Sequence, residues 1–195
     1  MPEPMPPPDA VAAVERLLHR GEPLLAFNAA QEGLREAPGH VRLRQLQALA
    51  LARSGDAPRA GAILQALIDE GREDAETLGM LARTHKDLAQ RAAGPGDRAR
   101  HLDAAIRLYE RAWREAVERG ATDDALYTGI NAAAAAALAG DLGRARAIAA
   151  EVREMGLRAA AKGDDPSARY WREATLGEAA LILGDNAASA AHYAK

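Results

Sequence analysis

Apolar and polar residues alternate along the chain with the three-to-four-residue spacing of amphipathic helices. In the first such segment Val11, Val14 and Leu18 share one face, and Asp9 is a suitable N-cap for it. Similar segments continue to the end of the chain, separated by turns that contain Gly or Pro. Since no run of Val, Ile, Thr and Tyr predicts a strand, the pattern predicts an all-α protein.

The turns between these helices follow a repeated local template. A small residue follows a turn glycine after five positions in four places: Gly21–Ala26, Gly55–Ala60, Gly140–Ala145 and Gly184–Ser189. The first two glycines are 34 residues apart, and the last three are each followed by Asp. A 34-residue period of helix, glycine turn and helix is the signature of a tetratricopeptide array. Because such units stack to bury their apolar faces, we expect a right-handed α-solenoid of tetratricopeptide-like helix pairs.

The spacing of the turns also predicts the domain organisation. We expect a Pro-rich arm over residues 1–8 and one array over residues 9–195. The predicted helix pairs cover about 9–38, 40–71, 75–119, 122–161 and 166–195, the last of them incomplete. The third pair contains Ala-Ala-Gly-Pro-Gly-Asp, which predicts an inserted, exposed loop over residues 92–99. Because the last helix is not followed by a polar capping helix, we interpret the chain as part of a longer protein.

Composition and charge exclude several classes of protein. The formal net charge is -3 with acidic and basic residues interspersed, which argues against a nucleic-acid-binding domain. The chain has no cysteine, so disulfides, thiolate catalysis and Cys-based metal sites are excluded. The N-terminal sequence lacks the basic and apolar regions of a secretory signal, and no apolar run is long enough to span a bilayer. We therefore expect a cytoplasmic protein that does not bind membranes.

Two sequence blocks go beyond a generic repeat. The first is Tyr-Thr-Gly-Ile-Asn-Ala-Ala at residues 127–133, followed by Leu-Ala-Gly-Asp at 138–141. The second is Tyr-Trp-Arg-Glu-Ala-Thr-Leu-Gly-Glu-Ala at residues 170–179, followed by Leu-Gly-Asp at 183–185. In order and spacing, both resemble the TRAF-binding, tetratricopeptide-like region of apoptosis signal-regulating kinases and their bacterial relatives. The resemblance covers residues 122–195, whereas residues 9–120 resemble only the general repeat.

The resemblance implies a regulatory, protein-binding helical domain. In the bacterial relatives such a domain is often joined to signalling or effector domains, and in the kinases it adjoins the catalytic domain and controls its assembly. No segment of this chain resembles a kinase glycine loop or catalytic loop. The resemblance therefore implies a scaffold and no catalysis.

The residues that suggest other chemistry have simpler interpretations. The paired carboxylates Asp123 and Asp124 precede a predicted helix, where acidic side chains complement the helix dipole. An arginine strip in the third pair is interleaved with acidic residues, which favours a solvated, ion-paired face over an anion or nucleic-acid site; its members are Arg98, Arg100, Arg107, Arg111 and Arg114. The five histidines lack metal-ligand spacing. We expect no catalytic residue, no cofactor and no metal.

The candidate site is the groove that first helices line in a tetratricopeptide array. On that template nine side chains from three first helices are expected to contact a partner: Met80, Arg83, Lys86, Tyr127, Ile130, Asn131, Trp171, Thr175 and Glu178. Aromatic and Arg side chains are good interface anchors. Tyr127 and Trp171 could instead pack between neighbouring helices, and this alternative stays open at this point. Asn131 opens an alanine-rich run, where a polar residue needs a backbone hydrogen bond.

These observations predict a non-catalytic protein-interaction or regulatory scaffold, the helical module of a larger signalling or effector protein. The expected partner is a protein or peptide in the groove, and self-association through the uncapped C-terminal helix is possible. Two alternatives remain open. The chain could be the accessory arm of an enzyme whose catalytic domain lies beyond Lys195, or a solenoid that binds nucleic acid through the arginine strip.

Overall fold

The computed structural model describes residues 9–160 and 166–194, and within them every regular element is an α-helix. In chain order the ten helices of the described residues are α1 (Asp9–His19), α2 (Pro23–Glu36), α3 (Val41–Arg53), α4 (Ala57–Asp69), α5 (Ala75–Arg91), α6 (Pro95–Glu118), α7 (Thr122–Leu138), α8 (Leu142–Ala160), α9 (Pro166–Leu183) and α10 (Asn186–Tyr193). The all-α prediction is therefore confirmed. The predicted Pro-rich arm at 1–8 lies outside the described residues.

The chain divides into two compact units, Met1–Leu88 and Ala89–Lys195. In the first unit α1, α2 and α3 share a core of aliphatic side chains: Val14, Leu18, Ala26, Ala30, Leu43, Leu46 and Ala50. In the second unit a core cluster joins α6, α7 and α8 through small side chains: Ala105, Ile106, Ala135, Ala136 and Ala145. Alanine dominates this second cluster because small side chains allow helix backbones to approach closely.

The Gly-Asp turns end one helix and begin the next. Gly55 has φ +90°, and the Asp56 N–H donates to the Leu51 carbonyl at 2.9 Å, which closes the C-terminus of α3. The Asp56 carboxylate then accepts a 3.2 Å hydrogen bond from the Arg59 N–H in the first turn of α4. The same two contacts occur at Asp141 and Asp185. All four predicted turn glycines adopt positive φ; they are Gly21, Gly55, Gly140 and Gly184.

The predicted loop over residues 92–99 is longer than the one that the structure shows. Only residues 92–94 separate α5 from α6, because α6 begins at Pro95. Proline is favoured in the first turn of a helix, where its missing N–H would have no intrahelical partner. Gly94 provides the extended N-cap, and Asp97 places an acidic side chain in the first turn. The Gly-Pro-Gly-Asp string thus forms a helix start, although its composition is equally typical of a loop.

A glycine on α7 allows two neighbouring helices to contact that helix closely. A Cβ atom on Gly129 would lie 2.6 Å from Val152 Cγ2 on α8 and 3.0 Å from Trp113 Nε1 on α6. No side chain fits such distances without displacing its neighbours. Gly129 therefore fixes the position of α7, the helix that forms one wall of the candidate site.

Candidate functional site

A cleft of about 480 Å³ lies between the N-terminal halves of α7 and α9, within the second unit. Such a volume falls in the range of about 300–1,000 Å³ that is usual for ligand pockets. Nine residues line the cleft: Asp123, Asp124, Leu126, Tyr127, Ser167, Ala168, Trp171, Arg172 and Thr175. Three of them, Tyr127, Trp171 and Thr175, are among the groove residues that the sequence predicts.

Helix α8 packs against both helices that form the walls of the cleft. Gly156 on α8 is close to both wall helices, since a Cβ atom there would be 2.9 Å from Leu176 of α9 and 3.6 Å from Leu126 of α7. Both leucines are buried. The absence of a side chain at Gly156 thus lets α8 contact the two cleft helices at once. This packing holds the two walls of the cleft in place.

The two predicted aromatic anchors are exposed. Tyr127 is 49% exposed and Trp171 is 67% exposed, so neither ring belongs to the core. The alternative that both rings pack between helices is therefore excluded. Tyr170 meets Trp171 edge to face, with ring centroids 5.2 Å apart and an interplanar angle of 80°. This contact restricts the Trp171 ring while leaving it accessible, which suits an interface anchor.

The remaining predicted residues of α7 have structural roles. Asn131 donates a 2.9 Å hydrogen bond from Nδ2 to the Tyr127 carbonyl, one helical turn back. Ile130 is only 4% exposed, so its assignment to the groove surface is wrong. It follows Leu126 by four residues and precedes Ala133 by three, and both of these are also buried. This i, i+4, i+7 stripe faces the core.

Glu178 lies on α9, outside the residues that line the cleft. Its charge acts on Tyr193 of α10, because burial and then the Glu178 carboxylate raise the pKa of that phenol. The Tyr193 ring itself packs against Gly177, where a Cβ atom would lie 2.9 Å from the ring. The structure therefore places Glu178 beside α10.

Three predicted groove residues, Met80, Arg83 and Lys86, lie on α5 in the first unit. Arg83 is exposed, whereas Met80 and Lys86 are half-buried. None of the three lines the cleft.

In the first unit a network of polar side chains connects α1, α3 and α5, the first helices of its helix pairs. Arg42 on α3 donates to Glu15 of α1 at 2.7 Å and also to Glu76 of α5. Gln45, also on α3, donates to Thr77 of α5 at 2.8 Å. Hydrogen bonds to the two carboxylates outweigh the effect of burial and raise the pKa of Arg42. These polar groups bind one another, so their main role is to join three helices.

Sequence reasoning missed two-thirds of the cleft lining, including the residues that give it charge. Asp123 and Asp124 precede Tyr127 by four and three residues, so helical periodicity places them on its face. By the same periodicity, Ala168, Trp171 and Thr175 share one face of α9. Because acidic residues at a helix start also complement the helix dipole, their position in the sequence does not by itself indicate a cleft.

The charges of the cleft are arranged asymmetrically. Asp123 and Asp124 are exposed, while Arg172, the basic member of the lining, is only 8% exposed. Asp124 lies 3.8 Å from Arg119, a contact between two exposed side chains that salt screens readily. The accessible charge of the cleft is therefore negative.

At least three of the five arginines in the strip on α6 form ion pairs. Arg100 pairs with Asp97 and Arg107 with Asp103 along the helix, and Arg114 lies 3.4 Å from Glu110. These contacts neutralise much of the strip's positive charge.

The described residues offer neither a metal site nor a membrane span. Within residues 9–160 and 166–194 no cluster of three His, Cys, Asp or Glu side chains has the geometry to hold a metal ion. In that part of the chain no helix combines the length and the apolar character needed to cross a membrane.

Comparison with solved structures shows the fold class. The crystal structure of TTC0263, a thermophilic TPR protein of Thermus thermophilus, is similar with a TM-score of 0.74 at 17% identity, over 95% of this chain and 87% of that chain. The human IFIT1 dimer with PPP-AAAA gives a TM-score of 0.47 at 14% identity, over 95% of this chain and 53% of that chain. The first likeness confirms the predicted all-α, right-handed solenoid fold of tetratricopeptide-like helix pairs.

Comparison with families is more specific. No curated protein matches the chain. A family model described as Tetratricopeptide Repeats-Sensor matches residues 9–138, more than half of the sequence. The matched range includes α7 and its share of the cleft. The chain therefore belongs to the Tetratricopeptide Repeats-Sensor family.

Proposed function

We propose that this chain is a non-catalytic scaffold module that binds a peptide segment of a partner protein in the cleft between α7 and α9. Tetratricopeptide folds generally bind protein partners and are typically non-catalytic. The observation that carries the proposal is the exposure of Trp171 and Tyr127 on opposite walls of one cleft. Large aromatic side chains exposed beside a cavity are typical anchors of a binding surface.

The position of the cleft agrees with the sequence resemblance. Four of its nine lining residues, Tyr127, Trp171, Arg172 and Thr175, belong to the two blocks, at residues 127–133 and 170–179, that resemble the TRAF-binding region of apoptosis signal-regulating kinases. This supports a regulatory role within a larger cytoplasmic signalling or effector protein. Met80, Arg83 and Lys86 of α5 stay candidate partner contacts of the first unit by itself.

Self-association through α10 stays a prediction. Leu181 of α9 and Tyr193 of α10 are both exposed, which supports an additional apolar contact at this end of the second unit. Sedimentation velocity at two protein concentrations tests it, and an unchanged monomer at both would contradict it.

The binding proposal is tested with peptides selected from a random displayed library on the purified wild-type chain. Fluorescence anisotropy then gives their Kd for wild type and for the Tyr127→Ala, Trp171→Ala double variant. Truncation of two interface anchors costs about 2 kcal/mol or more, so we expect at least a roughly thirtyfold weaker Kd.

The matched control is Leu142→Ala, which removes an exposed apolar side chain of α8 outside the cleft. We expect this variant to bind like wild type. Circular dichroism must first show equal helicity and melting for all three proteins. A folded double variant that retains wild-type affinity for every selected peptide would place binding elsewhere on the molecule.

A further inference from the structure

The accessible charge of the cleft indicates which partner side chain it accepts. We infer that the cleft binds a basic side chain, Arg or Lys, of the partner peptide. This inference rests on the proposed function, since it specifies the chemistry of the same site. Its basis is the arrangement of two exposed carboxylates and two exposed aromatic rings around one cavity.

The carboxylates and one ring lie on the same helix face. Asp123 and Asp124 stand in the first turn of α7, and Tyr127 follows in the next turn. Side chains three and four residues apart on a helix are about 5–6 Å apart at Cβ. A Lys or Arg side chain laid along this face thus places its aliphatic stem against the Tyr127 ring. Its charged head then reaches the carboxylates.

The wall formed by α9 adds a second favourable contact for a basic side chain. Trp171 of α9 lines the cleft with most of its ring exposed. Tryptophan is the best aromatic partner for a cation, and Arg is the cation found there most often. A guanidinium between Trp171 and Asp123 would combine a cation–π contact with a charge-assisted hydrogen bond. Neutral or acidic side chains gain neither contact.

The charge of α7, which forms one wall of the cleft, supports the same partner. α7 has two acidic residues and no basic residue along its whole length. The one basic side chain of the lining, Arg172, is largely covered by its surroundings. An entering peptide therefore meets the carboxylates before it meets the guanidinium. An acidic partner that reached Arg172 would have to pass two like charges, which costs binding free energy.

The test uses four fluorescein-labelled peptide pools that differ only at a central position, with random neutral residues on either side. The central residue is Arg, Lys, Met or Glu, so the Met pool retains an unbranched apolar stem without the charge. We expect the Arg and Lys pools to bind about tenfold more tightly than the Met pool. The Glu pool is expected to bind most weakly. The preference must shrink as salt is raised, because exposed charges are screened.

The variants separate charge from fold. In Asp123→Asn, Asp124→Asn we expect the Arg pool to bind no more tightly than the Met pool. The matched control is Glu151→Gln, Glu154→Gln, which removes the same charge from the exposed face of α8, outside the cleft. This control must keep the preference for Arg. Should the double Asn variant lose helicity, Asp123→Asn alone is measured and is expected to reduce the preference in part.

The outcomes also separate this inference from the proposed function. Equal binding of the Arg and Met pools, still lost in Tyr127→Ala, Trp171→Ala, overturns the basic-side-chain inference and leaves the peptide-binding proposal standing. Tightest binding of the Glu pool overturns it as well and indicates Arg172 as the contact. If the peptide pools bind the Tyr127→Ala, Trp171→Ala variant as tightly as wild type, both proposals are overturned.

Discussion

Arg144 on α8 forms two hydrogen bonds with Glu110 on α6: Nε donates to Oε1 at 2.6 Å, and Nη2 donates to Oε2 at 2.7 Å. The two residues are 34 positions apart, which is one repeat period. Glu110 is only 9% exposed, and its bonds to Arg144 raise the pKa of the guanidinium. The pair thus joins the second helices of successive repeats with a geometry that only Arg provides.

We expect Glu110→Gln to lower the free energy of unfolding by about 1–3 kcal/mol, since it leaves a partly covered guanidinium without its charged partner. Arg144→Lys keeps the charge and loses the two-pronged geometry, so it should fall between Glu110→Gln and wild type. Urea denaturation of the purified variants measures both effects.

The double variant Glu110→Met, Arg144→Met provides the control for this pair. Apolar replacement of both partners removes the desolvation cost together with the ion pair, so most of the lost stability should return. If Glu110→Gln unfolds at the same urea concentration as wild type, the pair contributes nothing measurable and the proposed role is wrong.

A second prediction concerns the close packing at Gly129. We expect Gly129→Ala to lower the free energy of unfolding by about 1–3 kcal/mol, because its Cβ would collide with Val152 and Trp113. Helix propensity alone predicts the opposite sign, a gain of up to about 1 kcal/mol. The sign of the change in melting midpoint therefore decides between packing and propensity.

Gly143→Ala is the matched control for this substitution. Gly143 is also a helical glycine, near the start of α8, but a Cβ there would meet its nearest neighbour at an ordinary 3.7 Å. It should melt no lower than wild type. Destabilisation of both variants to the same extent would remove the argument from close packing.

The sequence predicted those features that depend on neighbouring residues. The Gly-Asp turns are local, since Asp56 closes α3 and caps α4 within eight residues. The repeat template allowed Trp171 either to line the groove or to pack between helices, so it did not determine that this side chain is exposed. By contrast, the Arg144–Glu110 pair depends on how α8 lies against α6. The burial of Ile130 likewise depends on which face of α7 meets its neighbours, and the repeat template placed this one residue on the wrong face.

The beginning of α6 supplies a third prediction. The Arg98 N–H donates to the Gly94 carbonyl at 3.1 Å, which forms the first helical hydrogen bond of α6. We therefore expect slower amide exchange from Arg98 onward than in residues 92–94. Hydrogen exchange followed by NMR resolves these positions. Equally fast exchange at Arg98 and at residues 92–94 would restore the longer loop that the composition suggests.

The last prediction concerns the titration of Glu70 at the end of α4. Its carboxylate accepts hydrogen bonds from both terminal nitrogens of Arg44, at 2.5 Å and 2.9 Å. These bonds, assisted by the charges of Arg44 and Arg72, hold the pKa of Glu70 below its ordinary value against a smaller opposing effect of desolvation. A depressed folded-state pKa means that the pair stabilises the fold above the unfolded-state pKa of about 4.3. That stabilisation is lost as the pH falls through the folded-state value.

The ¹³C shift of the Glu70 carboxyl, followed from neutral to acidic pH, should give a midpoint below that of an unperturbed glutamate. Arg44→Gln should raise this midpoint toward the ordinary value, because it removes both hydrogen bonds. Arg72→Gln removes only a weaker electrostatic contribution and should raise the midpoint less. An identical midpoint in wild type and Arg44→Gln would mean that the ion pair does not persist in solution, as many exposed pairs do not.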